Sequence, residues 1–200
     1  MIRANRRLWV RLPPVALTIM LKNNLWVYFI FIFSLFIAIY LNLFVLFFCI
    51  ILVLFEKCII GRINVIPGVE FTTICTILVT LAYGWQVGVI FCIFFVTFLP
   101  LIINFYIGEK IPTVRQEIFS ISFANFVDIF SVLMIHYLKN LELIYIVTII
   151  LIFKHLINNL KGKISDTNFV PDYAGIFLNL LFNLLLVFLL YPLWLYVLSL

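Results

Sequence analysis

One run of residues constrains this chain more than any other feature. From Leu25 to Phe55, 31 consecutive positions carry no charged side chain, and the run is apolar on every side rather than on one face. A chain segment of this kind has no polar face to turn to water. In lipid no such face is needed, but the backbone must then satisfy its own hydrogen bonds, which leaves helices or closed barrels. Barrel strands alternate apolar and polar residues, and this run does not, so the expected element is a helix. As one helix it would be about 46 Å long, against a hydrocarbon core of about 30 Å. It is therefore either one long tilted helix or a tight hairpin that turns near Asn42.

The rest of the chain follows suit. Hydrophobic residues make up 66% of it and charged residues 10%, where a globular domain carries roughly 25% charged. The expectation is an all-α, polytopic transmembrane helix bundle of five to seven spans. It has a basic interfacial segment over 1–24, with Trp9 and Pro13-Pro14, and a single transmembrane helical domain over 25–200. Further helices are expected over Val69 to Tyr83, Val87 to Ile107, Glu117 to Leu138 and Leu141 to Leu156, with a last one from near Asp172 that ends or kinks at Tyr191-Pro192. Lys161–Pro171 reads as the longest polar loop. The segment after the Pro67-Gly68 break is short, and reads as re-entrant or broken.

The net charge of +5 could point to nucleic acid, but five basic residues crowd the N-terminus and the others lie between apolar runs. That placement orients a membrane protein and holds it to anionic lipid; no nucleic-acid partner is expected. A seven-span arrangement with a cytoplasmic N-terminus puts every Lys and Arg except Lys139 inside. A six-span arrangement splits them six to seven, and a five-span one ten to three. Charge therefore favours seven or five spans in a cell membrane. The four cysteines form no CxxC pair, and no HExxH, GxSxG or phosphate-binding glycine loop occurs. Neither a metal, a cofactor nor an enzymatic activity is expected.

Ionisable and amide groups at membrane depth are costly, so each is a functional hypothesis by default. Asp128 stands in an apolar helix on a stripe with Glu117 and Lys139, and Asn125 and His136 lie on the same side. Such a face lines a cavity or makes one helix-to-helix contact. Asp172, Asn179 and Asn183 share a face of the last helix, which suits either a site or packing. Glu70 follows Pro67-Gly68 at a helix start, where the dipole favours an acid. With Thr72, Thr73, Thr76 and Thr80 before Gly84, it also fits a discontinuous helix that lines a site. Gly84 and Gly88 form a GxxxG, and Ser34 and Ala38 a weaker small-xxx-small pair; both permit close helix approach.

Residues 66–100, with Tyr83-Gly84 followed by Gly88, resemble two consecutive helices of the substrate-binding S components of energy-coupling-factor transporters. The helix with Asn125 and Asp128 is similar to the helix that comes next there. The ending NLLFNLLLVFLLYPLWL resembles the last helix of those proteins and of the cell-shape protein MreD. The resemblance implies a small helical bundle that captures a vitamin-like solute or a metal, driven by a membrane coupling protein and two ATPases. Glu70, Asn125, Asp128, Asn179 and Asn183 would then bind the substrate, and Ser34 and Ala38 would stand in for the docking pair. The alternative is an MreD-like structural or scaffold subunit, which uses the same polar faces to pack against other membrane subunits.

Overall fold

The computed structural model describes residues 32–34, 36, 40, 41, 43–60, 68–108, 123–165 and 169–199, without the side chains of 104–108 and 197. The basic segment 1–24, Ala38, Asn42, Pro67, the 109–116 loop and Glu117 lie outside the described residues. The chain divides into two units, 1–43 and 44–200. In the first, residues 32–34, 36 and 40 are helical and Leu41 forms a turn. A new helix starts at Phe44, so the backbone of the long apolar run is interrupted beside Asn42 rather than continuous.

In the second unit all the described elements are helical. They are α1 (Phe44–Phe55), continued by a π-helical turn Glu56–Ile60, then α2 (Thr72–Tyr83) and α3 (Trp85–Ile90). A π-helical stretch, Phe91–Phe98, joins α3 to α4 (Leu99–Gly108). The remaining helices are α5 (Phe123–Leu138), α6 (Leu143–Ser165), α7 (Tyr173–Leu189) and α8 (Tyr191–Ser199). Two helical stretches, Trp85–Ile103 and Leu143–Ser165, are long and apolar enough to cross a membrane.

The sequence shows why the chain turns where it does. Gly84 ends α2 at φ 87°, a conformation that costs a side chain dearly and glycine nothing. The chain reverses there: Gly88 packs on Thr80, and Thr76 Oγ1 meets Cys92 Sγ at 3.7 Å. These pairs step away from Gly84 in both directions, the pattern of an antiparallel helical hairpin. Gly88 has no room for a methyl group, because a Cβ would stand 2.4 Å from Thr80 Oγ1 and 2.9 Å from Val132 Cγ1. The two glycines thus do different work, one turning the chain and the other letting α2 and α5 close on α3. Helix α5 runs antiparallel to that rod, as its contacts show: His136 with Trp85, Val132 with Gly88, Asn125 with Thr97.

Helix α2 lies at the centre, with every residue from Thr72 to Thr80 buried. Asp172 caps α7, its Oδ1 accepting from Gly175 N at 2.9 Å, as expected of an acid at a helix start. The break at Leu190 separates α7 from α8, and Pro192 falls in the first turn of α8, where its missing N–H is harmless. Trp194 closes the joint by donating from Nε1 to Leu186 O at 3.1 Å. Boundaries depart from the sequence reading at α2, which starts at Thr72 rather than Val69, and at the end of α6. Lys161 to Ser165 are not loop: α6 continues to Ser165, nine residues past Leu156.

Candidate functional site

The core of this unit is apolar, but it encloses a set of polar and charged residues, while many large apolar side chains lie outside. Ile90, Phe94, Phe98 and Ile102 form an exposed stripe at a spacing of four, while Glu56, Asp128, Lys154, Asn179 and Asn183 are buried. The site forms where α2, α5, α6 and α7 meet.

Lys154 is its centre. It is the twelfth of the 23 residues of α6 and only 6% exposed. Its Nζ lies 2.6 Å from Glu70 Oε1 and 2.7 Å from Asp128 Oδ1, and it also donates to Thr73 Oγ1. The three ammonium hydrogens therefore have three acceptors. Thr73 passes its own hydroxyl hydrogen to Glu70 Oε1 at 2.6 Å. On the far side, Asn179 Nδ2 donates to Glu70 Oε2 at 2.7 Å, and Asn183 Nδ2 donates to Asn179 Oδ1 at 3.1 Å and to Asn179 O at 3.0 Å.

Local sequence explains how Glu70 reaches this position. Gly68 holds φ 88°, and a Cβ there would lie 2.7 Å from Leu178 Cβ and 2.8 Å from Asn179 N. Only glycine lets the loop lie against α7 so closely, and Glu70 is then two residues from Asn179's helix. The helix-start role that the sequence offers Glu70 is filled by another acid. Glu56, in the π-helical turn after α1, accepts from Phe71 N and Thr72 N at 2.6 Å each, and from Thr72 Oγ1 at 2.9 Å. It caps α2 from outside, which leaves the Glu70 carboxylate for Lys154. Lys57 pairs with Glu56 at 3.3 Å.

Four of the five sequence-selected residues, Glu70, Asp128, Asn179 and Asn183, thus belong to one connected network. Asn125 instead reaches Thr97 Oγ1 at 2.9 Å, in the π-helical stretch, where Thr97 in turn donates to Cys92 O at 3.0 Å. Of the polar stripe drawn through Asp128, Lys139 is exposed beyond the end of α5 and His136 stands beside the Trp85 ring at 6.5 Å. Ser34 is helical and half-buried in the first unit. Asp172 is exposed and only caps.

Sequence reading missed Lys154, Thr73's part and Glu56. With the helix expected to end at Leu156, Lys154 reads as one of the loop charges; in the structure it is a core residue and carries no topological information. The signal was present, since the carboxylates Glu70 and Asp128 in apolar surroundings each call for a cation, and Lys154 is flanked by Phe153 and His155 in an apolar helix. Among the described residues no cluster of His, Cys, Asp and Glu could hold a metal ion. No family model, curated protein or solved structure matches the chain.

Proposed function

We propose that this chain is a multi-pass protein of the cell membrane, with a cytoplasmic N-terminus, that binds a small solute at the Lys154 network. The observation that carries the reading is an ion-paired triad, with Lys154 and Asp128 buried and Glu70 half-buried, inside a coat of exposed Phe, Ile and Leu. Water would not tolerate that coat, and lipid would not tolerate the triad outside. Buried ion pairs add little net stability over apolar replacements, so a triad at the junction of four helices points to function rather than to packing alone. The resemblance to S components supports the same reading, with a membrane coupling protein and ATPases as partners. The basic residues support the orientation: with Lys154 set aside, the seven-span arrangement leaves eleven of twelve inside.

Mass spectrometry of the protein in lipid nanodiscs tests this. A small organic molecule is expected to stay bound, and Asp128→Asn is expected to lose it by at least tenfold in occupancy while the protein remains inserted and folded. No bound molecule, together with an unaltered Asp128→Asn, would defeat the proposal.

A second reading, the MreD-like scaffold, draws on one observation: all three Lys154 hydrogens are already used within the chain. Such a closed triad would lock helices so that a rigid surface meets other membrane subunits. In that case partner subunits co-purify in fixed ratio and Asp128→Asn leaves the ratio unchanged.

A further inference from the structure

The Lys154 network is unbalanced in a specific way. Glu70 and Asp128 carry two negative charges against the single positive charge of Lys154. The neighbouring Glu56 and Lys57 offset each other, and Lys57 is in electrostatic reach of Glu70, Asp128 and Lys154. Among the described residues of this network, one negative charge is therefore in excess.

The hydrogen bonds are unbalanced in the same direction. Asn183 is fully buried, its amide hydrogens face Asn179, and its Oδ1 has no partner. His155 follows Lys154 on α6; its ring interacts with Asn179 and with the Glu70 charge, and its Nε2 is buried without a partner. In the tautomer that carries its proton on Nδ1, that Nε2 is an acceptor. Glu70 Oε2 accepts only from Asn179 among the described contacts, and a carboxylate oxygen has a second lone pair. Unused capacity on this side thus consists of acceptors, in a field with one negative charge too many. An anionic group would meet a lysine whose hydrogens are all engaged.

We infer that the site takes a monovalent cation beside Glu70, Asn179, Asn183 and His155, and that this cation is the protonated amino group of a small solute. An ammonium head has three N–H donors, which match in number Glu70 Oε2, Asn183 Oδ1 and His155 Nε2. An alkali ion shares the charge but not the directed hydrogens. The inference rests on the solute-binding reading and adds the charge and donor chemistry of the solute.

The test is thermal unfolding of the full chain in nanodiscs against methylammonium chloride, sodium chloride and choline chloride at equal ionic strength. Methylammonium is expected to raise the midpoint by several degrees and to saturate, with choline and sodium flat. Asn183→Leu is expected to abolish the effect. Asn183→Asp, which adds a charge but gives up both hydrogen bonds to Asn179, is expected to lower the half-saturating concentration by roughly tenfold. Sodium acting as strongly as methylammonium, or no effect above choline in wild type and Asn183→Asp alike, would overturn the amine assignment. A bound solute that lacks an amino group would overturn it too and leave the solute-binding reading in place. No bound solute, with Asp128→Asn neutral, removes both.

Discussion

Two carboxylates flank the start of α2, and the molecule treats them oppositely. Glu56 is met by two backbone N–H groups and a threonine hydroxyl, all from the first turn of α2. Its charge is held by local dipoles, and it acts as a helix cap supplied by a different helix. Glu70 is met by side chains from three elements: Thr73 on α2, Lys154 on α6 and Asn179 on α7. The first arrangement is confined to the start of one helix. The second draws on three elements and ends in acceptors without a partner among the described residues. The same residue type thus serves structure where its partners are backbone and offers a site where its partners are other side chains.

Removing Lys154 should break this contrast most sharply. Lys154→Met leaves the buried Asp128 and the half-buried Glu70 without their cation, and its expected cost is about 3–5 kcal/mol in reversible unfolding from mixed micelles. Neutralising Glu70 and Asp128 as well, as Gln and Asn, should restore most of that stability while solute binding stays lost. A triple variant as unstable as Lys154→Met would mean that shape rather than charge balance governs this junction.

Glu56→Ala should cost less, about 2–3 kcal/mol, because it strands two helix-start N–H groups, and the cation it leaves, Lys57, is far more exposed than Lys154. Its expected signature is faster hydrogen exchange at Phe71 and Thr72 with solute occupancy intact. Loss of solute in Glu56→Ala would show that the two acids form one functional unit.

The smallest effect is expected at Asn125, which bonds Thr97 away from Lys154. Asn125→Ala should cost about 1 kcal/mol and leave both solute occupancy and the methylammonium response unaltered. A strong loss of binding there would extend the site to the π-helical stretch.

Much of this arrangement could be read from residues alone. Gly84 as a turn, a helix start near Asp172, the break before Pro192, and the inward face shared by Asn179 and Asn183 all follow from local chemistry and helix period. Asp128 inside the bundle follows from the cost of a carboxylate facing lipid. The extent of α6 was less legible. Asn158, Asn159, Lys161, Gly162 and Lys163 look like loop residues, yet the helix continues to Ser165, and Phe169 folds back onto Gly162.

What the sequence by itself determined is the apolar and helical character of its segments and which faces carry polar groups, since these depend on composition and on a period of 3.6. Only the tertiary structure decided the partners. Whether Glu70 or Glu56 would cap α2, whether Asn125 would join Asp128 or turn to Thr97, and whether Lys154 would mark a loop or the core all depend on residues 15 to 109 positions away along the chain. Helix period gives the direction in which a side chain points but not what the neighbouring helix brings to meet it. The π-helical turns at Glu56–Ile60 and Phe91–Phe98 shift that direction as well, by a change of phase that a regular period does not contain.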